Sequence, residues 1–373
     1  MKKMKILHVT FDMCLGGTEQ VIRQIVENID HRVFEQHVLC IDGKVGELGQ
    51  LLQEDGIRIS SLKRASGLDL NLVSNLRKYI REQNIDVVHC HQYTPYVYGL
   101  LASLFTAGKV VFTEHGRFYP DSFKWKRVII NPMLASMTKF ITAISKSTAQ
   151  ALAKFENIPR RKIQVIYNGT RLEQETIEQA QRLEWKTQFG FKESDTVFGT
   201  ISRLDPIKNQ KMMIKAFAKV HKKIPDSVLL MIGDGPLMAE LVQLAEALDV
   251  KAQVHFTGFV TSPQKYFSII DVFLLPSLSE GTSMTLLEAM SYETPAIVTD
   301  VGGNPEIVVH DETGLVIPNE DESALVTSMM DLARDANLRR QLGENAGRRY
   351  VEHFSEKNMV AQYQALYRAC VGA

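Results

Sequence analysis

The stretch Ser277-Leu278-Ser279-Glu280-Gly281-Thr282-Ser283-Met284-Thr285-Leu286-Leu287-Glu288, one residue beyond the apolar run Val272 to Leu275, decides how this chain folds. Four consecutive apolar residues read as a buried strand, Gly281 as the turn of a loop, Thr282 and Ser283 as helix caps, and Met284 onward as a helix. Such a junction belongs to a parallel α/β sheet, where open N–H groups of the helix's first turn point into the crevice beyond the strand's carboxyl end. A phosphate suits that position. Glu280 falls in the loop and Glu288 about two turns into the helix, so two carboxylates reach different depths of one cleft. The apolar neighbours Leu287, Ala289 and Met290 favour a committed, buried role for Glu288 over a solvated one.

The same alternation extends outward in both directions. After residue 195, strands are expected at Val197–Ile201, Val228–Ile232, Val254–Phe256, Val272–Leu275, Ala296–Val298 and Gly314–Val316. Before it, Ile6–Val9, Gln36–Cys40, Val87–Val88, Val110–Phe112, Phe140–Ile144 and Ile163–Ile166 alternate with helical patterns such as Thr18 to Asn28 and Val45 to Asp55. The expected class is therefore α/β, with two Rossmann-like domains in series. The first spans 1–171, a charged helical linker 172–195, the second domain 196–353, and a terminal helix 354–373.

Composition agrees with two domains and excludes several classes. A chain of 373 residues exceeds what one core organises, and 45% hydrophobic with 23% charged residues is an ordinary globular mixture. Forty-three basic residues balance forty-three acidic ones, which disfavours a dedicated nucleic-acid binder. The balance is not uniform: residues 1–175 hold 24 Lys plus Arg against 17 Asp plus Glu, net +7, leaving 19 against 26, net −7, for the rest. Cys14, Cys40, Cys90 and Cys370 are widely spaced with no C-x-x-C pair, arguing against a disulfide framework or structural zinc and for a reducing cytoplasm. The basic start Met1-Lys2-Lys3-Met4-Lys5 leads into an apolar run broken by His8 and Thr10, so it reads as a first strand and not as a signal peptide. The longest uncharged stretch, Gln92 to Gly108, carries too many polar residues to span a membrane and reads as a buried helix.

Four further constellations bear on chemistry. Arg203 follows a strand directly and Lys208 comes five residues later, so two cations share one strand-to-helix loop, as a diphosphate requires. Gly16-Gly17 opens a helix without the G-x-G-x-x-G pattern, which removes most support for a nicotinamide or flavin and leaves either a structural turn or close approach to an anion or sugar. His89-Cys90-His91 places two imidazoles on one strand face, but with no carboxylate beside it and no Asp-x-Asp triplet anywhere, strand-end packing is preferred to a metal site. Arg117 to Arg127, with Lys124, Trp125 and Lys126, interleaves cations and aromatics. It reads either as a solvated loop or as a lip for an anionic, lipid-linked partner.

Together these residues resemble the retaining glycosyltransferases of family 4, whose GT-B architecture has two facing Rossmann-like domains with parallel sheets. The likeness spans nearly the whole chain: Gly16-Gly17, Thr113-Glu114-His115-Gly116, Ala143-Ile144-Ser145, Tyr167-Asn168-Gly169, Arg203 with Lys208, Glu280 with Glu288, Asp300-Val301-Gly302-Gly303-Asn304-Pro305-Glu306 and Thr313-Gly314-Leu315. It implies that the first domain serves the acceptor and the second the nucleotide-sugar. Arg203 and Lys208 would then hold the diphosphate, Glu288 the ribose hydroxyls and Glu280 a donor-sugar hydroxyl. Backbone N–H groups of Met284, Thr285 and Leu286, beside Gly281 and Thr282, would cap the distal phosphate. Gly17 would lie near the sugar–acceptor junction, His115 against the donor sugar and the leaving phosphate, and the loops of Gly233 and Phe259 near the base and sugar.

The reaction implied is metal-free, cofactor-free transfer from a UDP-sugar to a hydroxyl of a sugar or lipid-linked sugar, with retention. The implied location is the cytoplasm, peripheral to the inner face of the cell membrane. A sugar-nucleotide epimerase and a non-catalytic nucleotide-sugar-binding subunit are the alternatives.

Overall fold

The computed structural model describes residues 3–116, 125–171 and 179–372. They form two compact units: Met1–Gly169 together with Glu356–Ala373, and Thr170–Ser355. The segment read as a linker contains the helix Gln179–Gln188, tied into the second unit where Lys186 Nζ and Arg182 Nη2 reach the carboxylate of Asp271 at 3.3 and 2.6 Å. Residues 172–178 lie outside the described residues.

The first unit is built on seven parallel strands: β1 (Met4–Thr10), β2 (Phe34–Cys40), β3 (Arg58–Ser61), β4 (Val87–His91), β5 (Lys109–Glu114), β6 (Phe140–Ala143) and β7 (Ile163–Val165). Their spatial order is β3-β2-β1-β4-β5-β6-β7, so the sheet reverses direction between β1 and β4. The edge strand β3 is absent from the sequence expectation because its Arg58-Ile59-Ser60-Ser61 has a single apolar residue and pairs on one side only.

Alternation assigns the two sheet faces different chemistry. Leu7, Val9, Val88, Cys90, Val110 and Phe112 build an apolar core on one face. On the other, His8, His89, His91 and Thr113 are all fully buried. The helix Glu356–Val371 covers this polar row, burying Met359, Val360, Tyr363, Leu366, Tyr367 and Cys370 at helical spacing. Its tyrosines supply what aliphatic residues could not. Tyr367 reaches His89 Nδ1 at 2.7 Å, satisfying a ring nitrogen that would otherwise cost about 1–3 kcal/mol when buried.

The second unit carries β8 (Thr196–Ile201), β9 (Ser227–Ile232), β10 (Val254–Phe256), β11 (Val272–Leu275), β12 (Ala296–Thr299) and β13 (Gly314–Ile317), ordered β10-β9-β8-β11-β12-β13. Both faces of this sheet are covered, so β8, β9, β11 and β12 are buried throughout, as fully enclosed parallel strands should be. Here the direction reverses between β8 and β11, which pair in register at Val272–Phe198 and Phe273–Gly199. A crevice therefore opens beyond the carboxyl ends of these two strands. The uncharged stretch after Gln92 forms the helix Tyr93–Ser103, and among the described residues no helix is long and apolar enough to cross a membrane.

Candidate active site

In the second unit the reversal point collects the predicted charges. The β8 loop turns at Asp205, whose side chain accepts from Ile207 N–H at 3.2 Å and also pairs with Arg203 Nε at 3.2 Å. Buried Gln210 donates from Nε2 to the Arg203 carbonyl at 2.9 Å, fixing the backbone while the guanidinium stays 72% exposed. Arg203 is thus held at its root and open at its head. Lys208 follows on the same loop, and its Nζ lies 2.6 Å from Glu280 Oε1 on the β11 loop. Buried Ser277 donates its hydroxyl to the same oxygen at 2.7 Å. The two loops are also joined by backbone, from Leu278 N–H to the Ile207 carbonyl at 2.8 Å.

The loop after β12 locks Glu280 from below. Gly303 N–H donates to the Glu280 carbonyl at 3.2 Å, and Gly302 stands at φ +54° with no room for a side chain, because a Cβ would overlap that carbonyl. Thr299 Oγ1 donates to the Ser277 carbonyl at 2.6 Å. The glycine pair thus lets one loop pass directly beneath the residue that pairs with Lys208.

The helix Met284–Ser291 starts at Ser283, and Thr282 and Ser283 are both buried. Ser283 Oγ accepts from Leu286 N–H at 3.3 Å, so that N–H is already engaged. Of the three amides named for the phosphate, the capping side chain engages that of Leu286, while Met284 and Thr285 occupy the part of the first turn that intrahelical bonding leaves open. Glu288 is half-buried on the helix, so the burial expected from its apolar flanks is reached in part. Gly233 sits at φ +131°, donates to the Gly258 carbonyl at 3.0 Å and has no space for a Cβ against the Ser202 carbonyl, while Phe259 beside Gly258 is 61% exposed. Gly281 is half-buried in the Glu280 loop.

In the first unit the reversal point lies between β1 and β4. Gly16 caps the helix Gly17–Asn28 without a side-chain bond, and a Cβ there would strike the Glu19 carboxylate. Burial, with a contribution from the nearby Asp12 charge, pushes the Glu19 carboxyl up to about 7. Gln92, directly after β4, holds the left-handed φ of 70°, unusual for a non-glycine residue, and its Nε2 donates to Thr18 Oγ1 at 3.2 Å. Sequence reasoning gave no role to Glu19, Gln92 or Ser277; the position of Glu19 two residues after the glycine pair was the available signal.

His115, one residue beyond β5, ends a chain of buried polar contacts. Gln36 Oε1 lies 2.8 Å from His8 Nε2, His8 Nδ1 2.9 Å from His91 Nε2, and His91 Nδ1 2.8 Å from His115 Nε2. Desolvation holds His8 down to about 4 and His115 to about 3, and keeps His89 and His91 well below the ordinary value, so all four rings are neutral at pH 7. Ring nitrogens of His8, His89 and His91 lie within 4.8 Å of one another, but all six are already engaged, with His89 bonded to Tyr367 and to Thr113. That is a hydrogen-bonded packing arrangement.

Of the basic-aromatic segment, Arg117 and Lys124 lie outside the described residues. Trp125, Lys126 and Arg127 open the helix Trp125–Met137. Trp125 and Lys126 are exposed, but Arg127 is not available as a surface cation: its guanidinium stacks 3.9 Å from the Tyr93 ring and pairs with buried Glu156 at 3.0 Å. The reason is that Glu156, almost wholly desolvated, needs a partner more than the surface needs a charge.

Two Rossmann-like units, each with polar residues gathered at its sheet's reversal point, are the make-up of a GT-B fold. The comparisons with known proteins identify the group within it. The family model described as Glycosyltransferase Family 4 matches residues 15–174, and that described as Glycosyl transferases group 1 matches residues 181–349. EpsD of Bacillus subtilis (strain 168) is 31% identical over 315 residues, covering 81% of this chain and 81% of that protein. The UDP-Gal:alpha-D-GlcNAc-diphosphoundecaprenol alpha-1,3-galactosyltransferase of Escherichia coli is 27% identical over 384 residues, covering 98% and 97%. Among solved structures, Anabaena Alr3699/HepE in complex with UDP-glucose has the same fold, with a TM-score of 0.85, 21% identity, and coverage of 98% of this chain and 100% of that one. The chain belongs to glycosyltransferase family 4, and it is a glycosyltransferase.

Proposed function

We propose that the chain transfers a sugar from a UDP-sugar to an acceptor hydroxyl with retention at the anomeric carbon, and that the acceptor is a lipid-linked or cell-surface polysaccharide precursor. The observation that carries the donor half is the Lys208–Glu280–Ser277 cluster beside Arg203 at the reversal point of the second sheet. Before donor binding each cation has a carboxylate partner, Arg203 with Asp205 and Lys208 with Glu280. A diphosphate arriving at this loop recruits both cations and the first turn of the Met284–Ser291 helix, while Glu280, held by Ser277, turns its carboxylate to a sugar hydroxyl. Glu288 takes the ribose hydroxyls, Gly281 belongs to the loop that meets the phosphate, and the loops of Gly233 and Phe259 border the base and sugar.

As the bond to the leaving phosphate breaks, negative charge builds on oxygens that fixed cations and helix amides already face. This preorganisation does the work a divalent ion would otherwise do. No enzyme carboxylate is assigned as covalent nucleophile, so attack by the acceptor on the same face, with the leaving phosphate as base, is the mechanism we favour. Gly17 lies near the sugar–acceptor junction, where the absence of a side chain leaves backbone N–H groups approachable.

The acceptor half rests on charge and one helix. On Trp125–Met137, Trp125, Ile129, Met133 and Met137 recur every fourth residue and are exposed, with Ile130 and Lys126 beside them. An apolar stripe on the +7 part of the chain suits the inner face of an anionic membrane, which supports reading the protein as a peripheral enzyme of the cytoplasm. The experiment that tests the donor reading is a thermal-shift panel of UDP, GDP, ADP and TDP sugars, since a ligand at one hundred times its Kd adds about 2.7 kcal/mol. No shift with any UDP-sugar would refute it.

A further inference from the structure

The row Gln36–His8–His91–His115 has a direction. Each neutral imidazole carries one N–H and one lone pair, so a bond made at one nitrogen dictates what the other can do. Gln36 faces His8 with its carbonyl oxygen, which can only accept, and leaves its own Nε2 buried without a partner among the described residues, so the direction of the row is decided at this amide. His8 therefore donates from Nε2 and must accept at Nδ1, which puts the proton of the next bond on His91 Nε2. His91 in turn accepts at Nδ1, and the last bond is donated by His115 Nε2. What remains at the end is His115 Nδ1, buried, without a proton and without a partner among the described residues. The row crosses β2, β1 and β4 and ends just past β5, so every ring but the last is locked into the sheet.

We propose that Gln36, His8 and His91 are positioning residues that hold His115 as its Nε2–H tautomer, presenting Nδ1 as a hydrogen-bond acceptor for a hydroxyl of the donor sugar. This rests on the glycosyltransferase reading above and sharpens it. A bare lone pair attracts an O–H and repels a phosphate oxygen, so His115 Nδ1 suits a sugar hydroxyl and not a phosphate. The reversed row would require the Gln36 amide nitrogen to face His8, and every proton would shift one atom along, turning His115 Nδ1 into a donor. One amide thus decides, through two imidazoles, the polarity of a site three strands away on the same face of the sheet.

The test is ¹⁵N NMR of imidazole-labelled full-length protein at pH 7, reading one-bond N–H couplings and the couplings across the N–H···N bonds. The expected result is a proton on His115 Nε2 coupled to His91 Nδ1, and a proton on His91 Nε2 coupled to His8 Nδ1. A proton found on His91 Nδ1 overturns the proposal. Gln36→Met keeps an acceptor-only atom at the end of the row and should keep the pattern; Gln36→Leu removes the acceptor and should lose the single pattern. A merely structural role for Gln36 would treat these two variants alike.

Kinetics then connect the tautomer to the donor. With UDP-glucose as probe, Gln36→Leu and His91→Phe should raise KM roughly five- to tenfold, the loss of about one hydrogen bond, while leaving the Kd of UDP within about twofold. Unchanged KM in a folded Gln36→Leu protein that has lost the pattern also refutes the proposal. Wild-type protein that binds neither UDP nor UDP-glucose would instead sink the donor reading, and the NMR pattern would still decide the row.

Discussion

Glu19→Gln is the most informative single substitution outside the cation loop, because it converts a burial effect into a stability that depends on pH. In the native chain the Glu19 carboxyl sits in the first turn of the Gly17–Asn28 helix, where the helix dipole and its own backbone N–H favour the anion. Burial outweighs them and, with Asp12 adding repulsion, raises its ionisation from 4.5 to about 7. The folded state therefore binds more protons than the unfolded state between those two values, and stability falls as pH rises through that window. Integrated to pH 8, the penalty is about 3 kcal/mol; below pH 4.5 it is absent. Glutamine keeps the shape and removes the charge. Urea denaturation of both proteins at pH 4.5, 6 and 8 should show equal stability at the lowest pH and an advantage for Glu19→Gln that grows with pH toward that figure. A direct ¹³C titration of the Glu19 carboxyl should find its midpoint near 7. An advantage that is constant across pH, or a midpoint near 4.5, would refute the argument.

Arg203→Ala and Lys208→Ala should each cut turnover by about a hundredfold or more, and rates within threefold of wild type for both would overturn the diphosphate assignment. Lys208→Ala should also cost about 1–3 kcal/mol of stability in chemical denaturation, because it strips Glu280 of one of the two partners on its buried Oε1. Transfer activity should persist in EDTA, whereas complete loss restored by Mg²⁺ or Mn²⁺ would replace fixed cations with a metal. Lys126→Glu combined with Ile129→Ser should weaken sedimentation with anionic liposomes at low salt while sparing donor hydrolysis; wild-type protein that ignores such liposomes would point to a soluble acceptor.

How much of this was legible in the sequence depended on whether the signal was local. The parallel strands announced themselves because four or five consecutive apolar residues have no other cheap place to go, and the loops after β8 and β11 announced themselves because charge follows directly on a buried strand. Edge strand β3 did not, since one-sided pairing asks little of its side chains. Nor did the pairing of residues far apart in sequence. Lys208 and Glu280 were each assigned to the donor from separate motifs, and nothing in either motif says that the two side chains hold one another at 2.6 Å. Arg127 was read as a surface cation because its neighbours are basic and aromatic, while its partner Glu156 lies 29 residues on.

The histidines mark the limit most sharply. Alternation along β4 correctly placed His89 and His91 on one face, and a face shared by two imidazoles is as far as one strand's sequence reaches. His8 joins them only because β1 lies beside β4, Gln36 because β2 lies beside β1, and Tyr367 because the terminal helix Glu356–Val371 packs over the row. Proton order is a property of the assembled row and of no residue in it. Replacing Gln36 by another polar residue would preserve every strand and the apolar core, yet an end group that donates in place of one that accepts would reverse the row and exchange acceptor for donor at His115. A sequence comparison that scores the histidines alone would therefore miss the residue on which their chemistry depends.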